Sequence, residues 1–175
     1  MEVDPATAAA LGFPKTKYAW VERERRWLCE GIPMDRVIGA DAIVDLYVTG
    51  TRLRLREATP LDGGPPMRRL TRKADVDPAT RLLTSIYLAP EEFALLSRLP
   101  GKILRKTRHR LALEGGVTIS ADLFEGELAG LILAEREFET DAAMAAFTAP
   151  DFCIREVTGD PRYTGGALIR DGLPG

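Results

Sequence analysis

The chain has 175 residues, a formal net charge of −2, and 45% hydrophobic against 29% charged residues. That balance fits one domain with a fair-sized core and argues against a nucleic-acid binder relying on overall basicity. Its two cysteines, Cys29 and Cys153, are too few for a disulfide framework and lack zinc-ligand spacing, so they read as reduced packing residues. The N-terminus, with Glu2, Asp4 and only a short alanine run, does not have the pattern of a signal peptide, and no stretch approaches the ~20 apolar residues of a membrane span. A soluble cytoplasmic protein is expected, with no nucleic-acid or membrane partner and with homodimerisation left open.

Residues 1–16 read as a flexible lead-in, because Pro5 and Pro14 prevent a continuous helix, and 17–175 as a single domain. The first strand is expected over 17–28. Alternation there places Glu22, Glu24 and Arg26 on one face and Val21, Arg23, Arg25 and Trp27 on the other, so neither face is simply apolar. Glu22 and Glu24 lie roughly 7 Å apart by strand rise and repel by about 2–3 kcal/mol at an effective dielectric near 20. Such a pair belongs in open water or beside cations. A charge run is ordinarily a solvated face, but this alternation recurs along the chain with the opposite sign.

A second strand is expected over 36–47, then a third at Thr51-Arg52-Leu53-Arg54-Leu55-Arg56-Glu57, where basic residues and leucines alternate strictly. The leucines need a hydrophobic layer, which sends the arginines to the opposite face. After the Gly63-Gly64-Pro65-Pro66 turn, a strand over 67–74 aligns Arg69, Thr71 and Lys73, and another is expected over 81–88. Residues 90–99 start with a proline, continue with acids and show helical apolar spacing. A strand over 102–113 puts Lys106, Arg108 and Arg110 on one face and the lone histidine, His109, on the other, so His109 reads as packed or exposed rather than catalytic. Gly115-Gly116 turns the chain into a strand over 117–124 that aligns Thr118, Ser120 and Asp122. The strand over 131–138 begins apolar and ends with Glu135 and Glu137, which are expected to enter a protein interior and to need partners there. A short helix over 140–147, a Gly-Asp-Pro turn at 159–161 and a last helix complete the chain.

About eight strands joined by tight turns, with two or three short helices, point to a mainly β (α+β) protein: an antiparallel sheet closed into an eight-stranded barrel or tunnel. If the charged faces point inward, Glu22, Glu24, Glu135, Glu137 and Asp122 face Arg26, Arg54, Arg56, Lys73, Lys106 and Arg108. A wet channel, cations on the carboxylates and an anion on the bases would resolve that lining. Hard divalent cations such as Mg²⁺ or Mn²⁺ take carboxylate oxygens, and several arginines and lysines at once suit a polyphosphate. The expected chemistry is metal-assisted phosphoryl transfer to water.

Glu22-x-Glu24-x-Arg26 resembles the ExExK strand of the CYTH superfamily, the triphosphate tunnel metalloenzymes. The likeness continues in order through Leu53-Arg54-Leu55-Arg56, Leu70-Thr71-Arg72-Lys73, Lys106-Thr107-Arg108, Asp122-Leu123-Phe124-Glu125-Gly126, and Ala134-Glu135-Arg136-Glu137-Phe138. Glu156-Val157-Thr158-Gly159-Asp160-Pro161-Arg162-Tyr163 looks like the tail of small bacterial members. The resemblance implies a metal-dependent triphosphatase acting on inorganic or nucleoside triphosphate. It implies Glu22, Glu24, Glu135, Glu137 and Asp122 as metal ligands, and Arg26, Arg54, Arg56, Lys73, Lys106 and Arg108 as substrate-binding. Glu22, Glu24 and Arg26 are expected to be catalytic. A polyanion-binding module without turnover, or a class IV adenylate cyclase-like activity, is the alternative. This chain departs from the family pattern at Arg26, where lysine is usual, and in 82–87, which carries no acids, so its lumen is expected to be more basic.

Overall fold

A computed structural model describes residues 3–175; the reading of Glu2 lies outside the described residues. Nine strands form one sheet: β1 (Trp20–Cys29), β2 (Val37–Val48), β3 (Leu53–Pro60), β4 (Met67–Asp75), β5 (Thr80–Tyr87), β6 (Gly101–Ala112), β7 (Thr118–Phe124), β8 (Ile132–Phe138) and β9 (Cys153–Glu156). Their spatial order is β5-β4-β3-β2-β6-β7-β8-β1-β9, and an additional pairing of β5 with β1 closes the first eight into an antiparallel barrel. β1 shares one edge between two partners. Its residues 20–23 pair with β5 and its residues 27–29 with β9. The barrel is the expected one, with β9 as an extra strand.

Four short helices lie around it: α1 (Pro5–Ala10), α2 (Pro90–Leu96), α3 (Asp141–Ala146) and α4 (Gly165–Asp171). The N-terminal stretch differs from the loose segment expected. Pro5 begins a helix rather than blocking one, because its missing N–H falls where no intrahelical acceptor exists, and Asp4 caps the turn by accepting from the Ala6 and Thr7 amides. Ala8 and Phe13 are then buried against Ala74 and Leu82 on the outside of the barrel.

The apolar residues gather in three places rather than in one central core, because the centre of the barrel is charged. One cluster lies under the N-terminal segment. A second, around Trp27, Leu111, Ile119, Ala134 and Phe138, is covered by Met144, Phe147 and Phe152. The third, made of Leu104, Phe124, Leu133, Tyr163 and Leu168, joins the strands to the C-terminal tail. Each large side chain buried in these clusters stabilises by about 1.5–3 kcal/mol. The tail packs closely. A Cβ added at Gly165 would collide with the Tyr47 hydroxyl, so only glycine allows that approach.

Candidate active site

The barrel encloses a cavity of about 450 Å³ lined by nine basic and five acidic side chains. Glu22, Glu24, Arg26, Arg54, Arg56, Arg69, Lys73, Lys106, Arg108, Glu135 and Glu137 line it as alternation placed them, with Glu24 facing Glu137 and Arg26 facing Glu135 across β1 and β8, whereas Arg110 turns to Asp41 at the exposed end of its strand.

Three carboxylates meet at one side. Oxygens of Glu22, Glu24 and Glu137 all lie within 4.8 Å of one another, Glu22 and Glu24 buried and Glu137 exposed. Glu137 is therefore not in the dry interior expected from the apolar start of β8. Lys73 Nζ donates to both oxygens of Glu22 at 2.9 and 2.8 Å. Arg81 Nη1 lies 3.2 Å from Glu24 and 3.6 Å from Glu22, while its Nε donates to Asp75 at 2.9 Å. Burial would raise the Glu22 carboxyl, but Lys73 and Arg81 outweigh it and hold that group below its ordinary value. Glu24 goes the other way. Burial, then the charges of Glu135 and Glu22, push it up to about 7. Three crowded carboxylates with one driven towards its neutral form are a donor set short of positive charge, and hard oxygen ligands at this spacing fit a divalent cation.

The other carboxylates named from the sequence are committed elsewhere. Asp122, fully buried, accepts from Lys106 and receives Arg108 in a fork at 2.7 and 2.7 Å. Arg108 Nη2 also donates to Glu135 at 2.6 Å. Burial opposes ionisation of Glu135, but Lys106 and Arg108 more than compensate and hold its carboxyl well below the usual range. Asp122 and Glu135 therefore brace the bases, whereas Glu22, Glu24 and Glu137 form the group.

Arg56 is likewise occupied. It is buried and forks onto Asp45 at 2.7 and 2.7 Å, with Arg54 Nε 3.8 Å from the same carboxylate. Arg26 is 2% exposed, lies 3.1 Å from Glu24 and donates to the Tyr163 carbonyl at 2.8 Å, which ties the tail to the first strand. Arg54, Lys73, Lys106 and Arg108 line the cavity as expected.

Sequence reasoning missed Arg81 and Asp45 on the inner face, and aligned Arg69 with Lys73 without giving it a role. The signal for Arg81 was the alternation Arg81, Leu83, Ser85, read only for its lack of acids. For Asp45 it was a lone carboxylate inside the β-prone run 42–48. His109 is buried but does not line the cavity, and neither cysteine does. Thr71 and Ser85 hydroxyls meet at 2.6 Å on the cavity wall with no imidazole beside them.

No protein-family model matches the chain. It is 41% identical over 69 residues to an inorganic triphosphatase of Acetivibrio thermocellus, covering 39% of this chain and 42% of that protein. It is 40% identical over 68 residues to an inorganic triphosphatase of Nitrosomonas europaea, covering 39% and 45%. The matched stretch thus spans less than half the length of these curated relatives. The solved structure of the inorganic triphosphatase NE1496 superposes over 88% of this chain and 100% of that one, with 26% identity and a TM-score of 0.58. No helix among the described residues is long and apolar enough to cross a membrane. The closed barrel with its inward-facing charge is thus similar in fold over most of its length, and in sequence over 39% of it, to proteins named inorganic triphosphatases.

Proposed function

We propose that the chain is a divalent-metal-dependent triphosphatase whose substrate is inorganic triphosphate or a nucleoside triphosphate. The observation that carries this reading is the acidic group Glu22, Glu24 and Glu137 set into a cavity wall that is otherwise rich in guanidinium and ammonium groups. Glu22, Glu24 and Glu137 would hold Mg²⁺ or Mn²⁺, which would supply charge neutralisation and Lewis-acid polarisation.

The chain's own residues do the rest. Lys106 and Arg108, fixed by Asp122, and Arg54 hold non-bridging oxygens and stabilise charge on the leaving phosphates. Lys73 and Arg81 now lie on Glu22 and Glu24, and both can turn to substrate oxygens when those carboxylates take a cation. Arg26 orients Glu24 through its 3.1 Å contact, anchored by the tail carbonyl. Water is the attacking group, because no cavity-lining serine or threonine has a base to activate it and neither cysteine reaches the cavity.

One observation favours a second reading. Lys73 and Arg81 already lie on Glu22 and Glu24 and offset part of their charge, as suits a polyanion-binding module that needs no metal. Phosphate release from triphosphate and from ATP, with Mg²⁺, with Mn²⁺ and with chelator, separates the two. Metal-dependent release supports the enzyme; binding of triphosphate without release under either metal sinks it and leaves the binding module.

A further inference from the structure

Of the nine basic side chains on the cavity wall, seven have a carboxylate at 3.8 Å or less. Arg52 is exposed. Arg69 differs from all of these. It is buried at its Nε without a hydrogen-bond acceptor, as Arg26 and Arg54 also are, but unlike them it has no carboxylate partner among the described residues. Its partners across the ladders are Arg56 on β3 and Tyr87 on β5. Burial and then the charges of Arg56 and Arg54 lower its pKa, so its surroundings disfavour the cation the side chain carries. On β5 the inward positions Leu83 and Ser85 offer no compensating charge. A guanidinium with a buried, unused N–H beside two further guanidiniums and one carboxylate, Asp45, is built to receive an anion.

Position indicates which part of an anion. Lys73 touches Glu22 beside the acidic group, whereas Arg69 lies four residues along the same inner face, roughly 13 Å away by strand rise. The Thr71–Ser85 hydroxyl pair stands between them. A linear phosphate chain anchored beside Glu22, Glu24 and Glu137 meets Lys73 first, then the hydroxyls and Arg54, and Arg69 last. We propose that Arg69 forms a subsite for a fourth phosphoryl group, so that the cavity prefers linear inorganic tetraphosphate to triphosphate. This rests on reading the cavity as a triphosphatase site.

Calorimetry on the full chain with Mg²⁺, using sodium tripolyphosphate and tetrapolyphosphate, tests it. The parent should bind the tetraphosphate about tenfold more tightly, the size of one charge-assisted contact. In Arg69→Gln that ratio should collapse towards one, and Arg69→Lys should keep part of it. A thermal melt without ligand checks for a merely structural role. Removing an unpaired cation should leave Tm unchanged or raised, while a structural arginine would lower it. A parent with no preference, or a ratio unmoved by Arg69→Gln, overturns the subsite even if triphosphate is hydrolysed. If the ratio behaves as expected but phosphate is never released, the subsite stands and the triphosphatase reading fails. A parent that binds neither compound overturns both.

Discussion

The two faces of β1 carry charge for opposite reasons. On the outer face, Arg25 forks onto Glu156 of β9 at 2.8 and 2.7 Å and donates to the Met144 and Phe147 carbonyls at 3.0 and 2.8 Å. Arg23 reaches Asp141 at the start of α3 at 2.8 Å. Arg25 thus satisfies carbonyls left over at the end of α3 while its stem lies along Trp27, its guanidinium 5.0 Å from the ring centroid. On the inner face, Glu22 and Glu24 are crowded by Glu137 and only part-compensated, and the surrounding bases are shared among too few acids. Charge that closes its contacts locally serves architecture; charge left out of balance is available to a ligand.

The largest expected effect lies on the inner face. Glu24→Gln should lower metal-dependent phosphate release by about a hundredfold or more while leaving far-UV circular dichroism unchanged. Folding tolerates the neutral amide because burial and Glu135 already push the Glu24 carboxyl up to about 7. A variant with full turnover would remove the distinction between the two faces.

Next comes the buried pair behind the site. Asp45→Asn strands Arg56 and Arg54 and should cost about 3 kcal/mol in urea unfolding. Burial opposes ionisation of Asp45, but Arg56, Arg54 and Lys106 around it hold its carboxyl well below the ordinary value of 3.8. The folded state therefore binds this proton more weakly than the unfolded chain. Its contribution to stability is complete above the ordinary value and is lost as pH falls through 3.8 towards the depressed folded value. Acid titration of unfolding should show a steeper loss in that window for the parent than for Asp45→Asn.

The smallest effect belongs to the outer face. Arg25→Ala removes one half-exposed ion pair and two carbonyl contacts, and should lower stability by about 1 kcal/mol with turnover unchanged. A large loss of turnover would mean that the outer face also supports catalysis.

The barrel could be read from alternation, because a period of two is a local property: Leu53-Arg54-Leu55-Arg56 declares its two faces without reference to any other strand. For the same reason the inner residues of β1, β3, β4, β6 and β8 could be grouped, while Asp45 and Arg81, whose strands show no charged alternation, could not. The division of that group was not readable, since that depends on which strands become neighbours. Asp122 looks like a metal ligand in isolation, yet β6 brings Lys106 and Arg108 across to it. Arg56 looks like a phosphate ligand until β2 places Asp45 opposite. The short helix at Pro5 was missed because a proline reads as a breaker unless its capping residue is noticed one position earlier.

One feature of the sheet bears on how the site comes into being. β1 is the first strand of the chain, yet its ladder partners are β5, β8 and β9. It must wait for most of the chain before its edges are filled, and such distant pairings slow folding. Glu22 and Glu24 meet Glu137 only when β1 and β8 zip together, the step that also joins the first strand to the end of the sheet. Assembly of the acidic group therefore waits on the β1–β8 seam, one of the two that bring β1 into the closed barrel. A partly folded chain has no such group, so a divalent cation that binds it can stabilise only the finished protein and should slow unfolding rather than speed the early steps of folding.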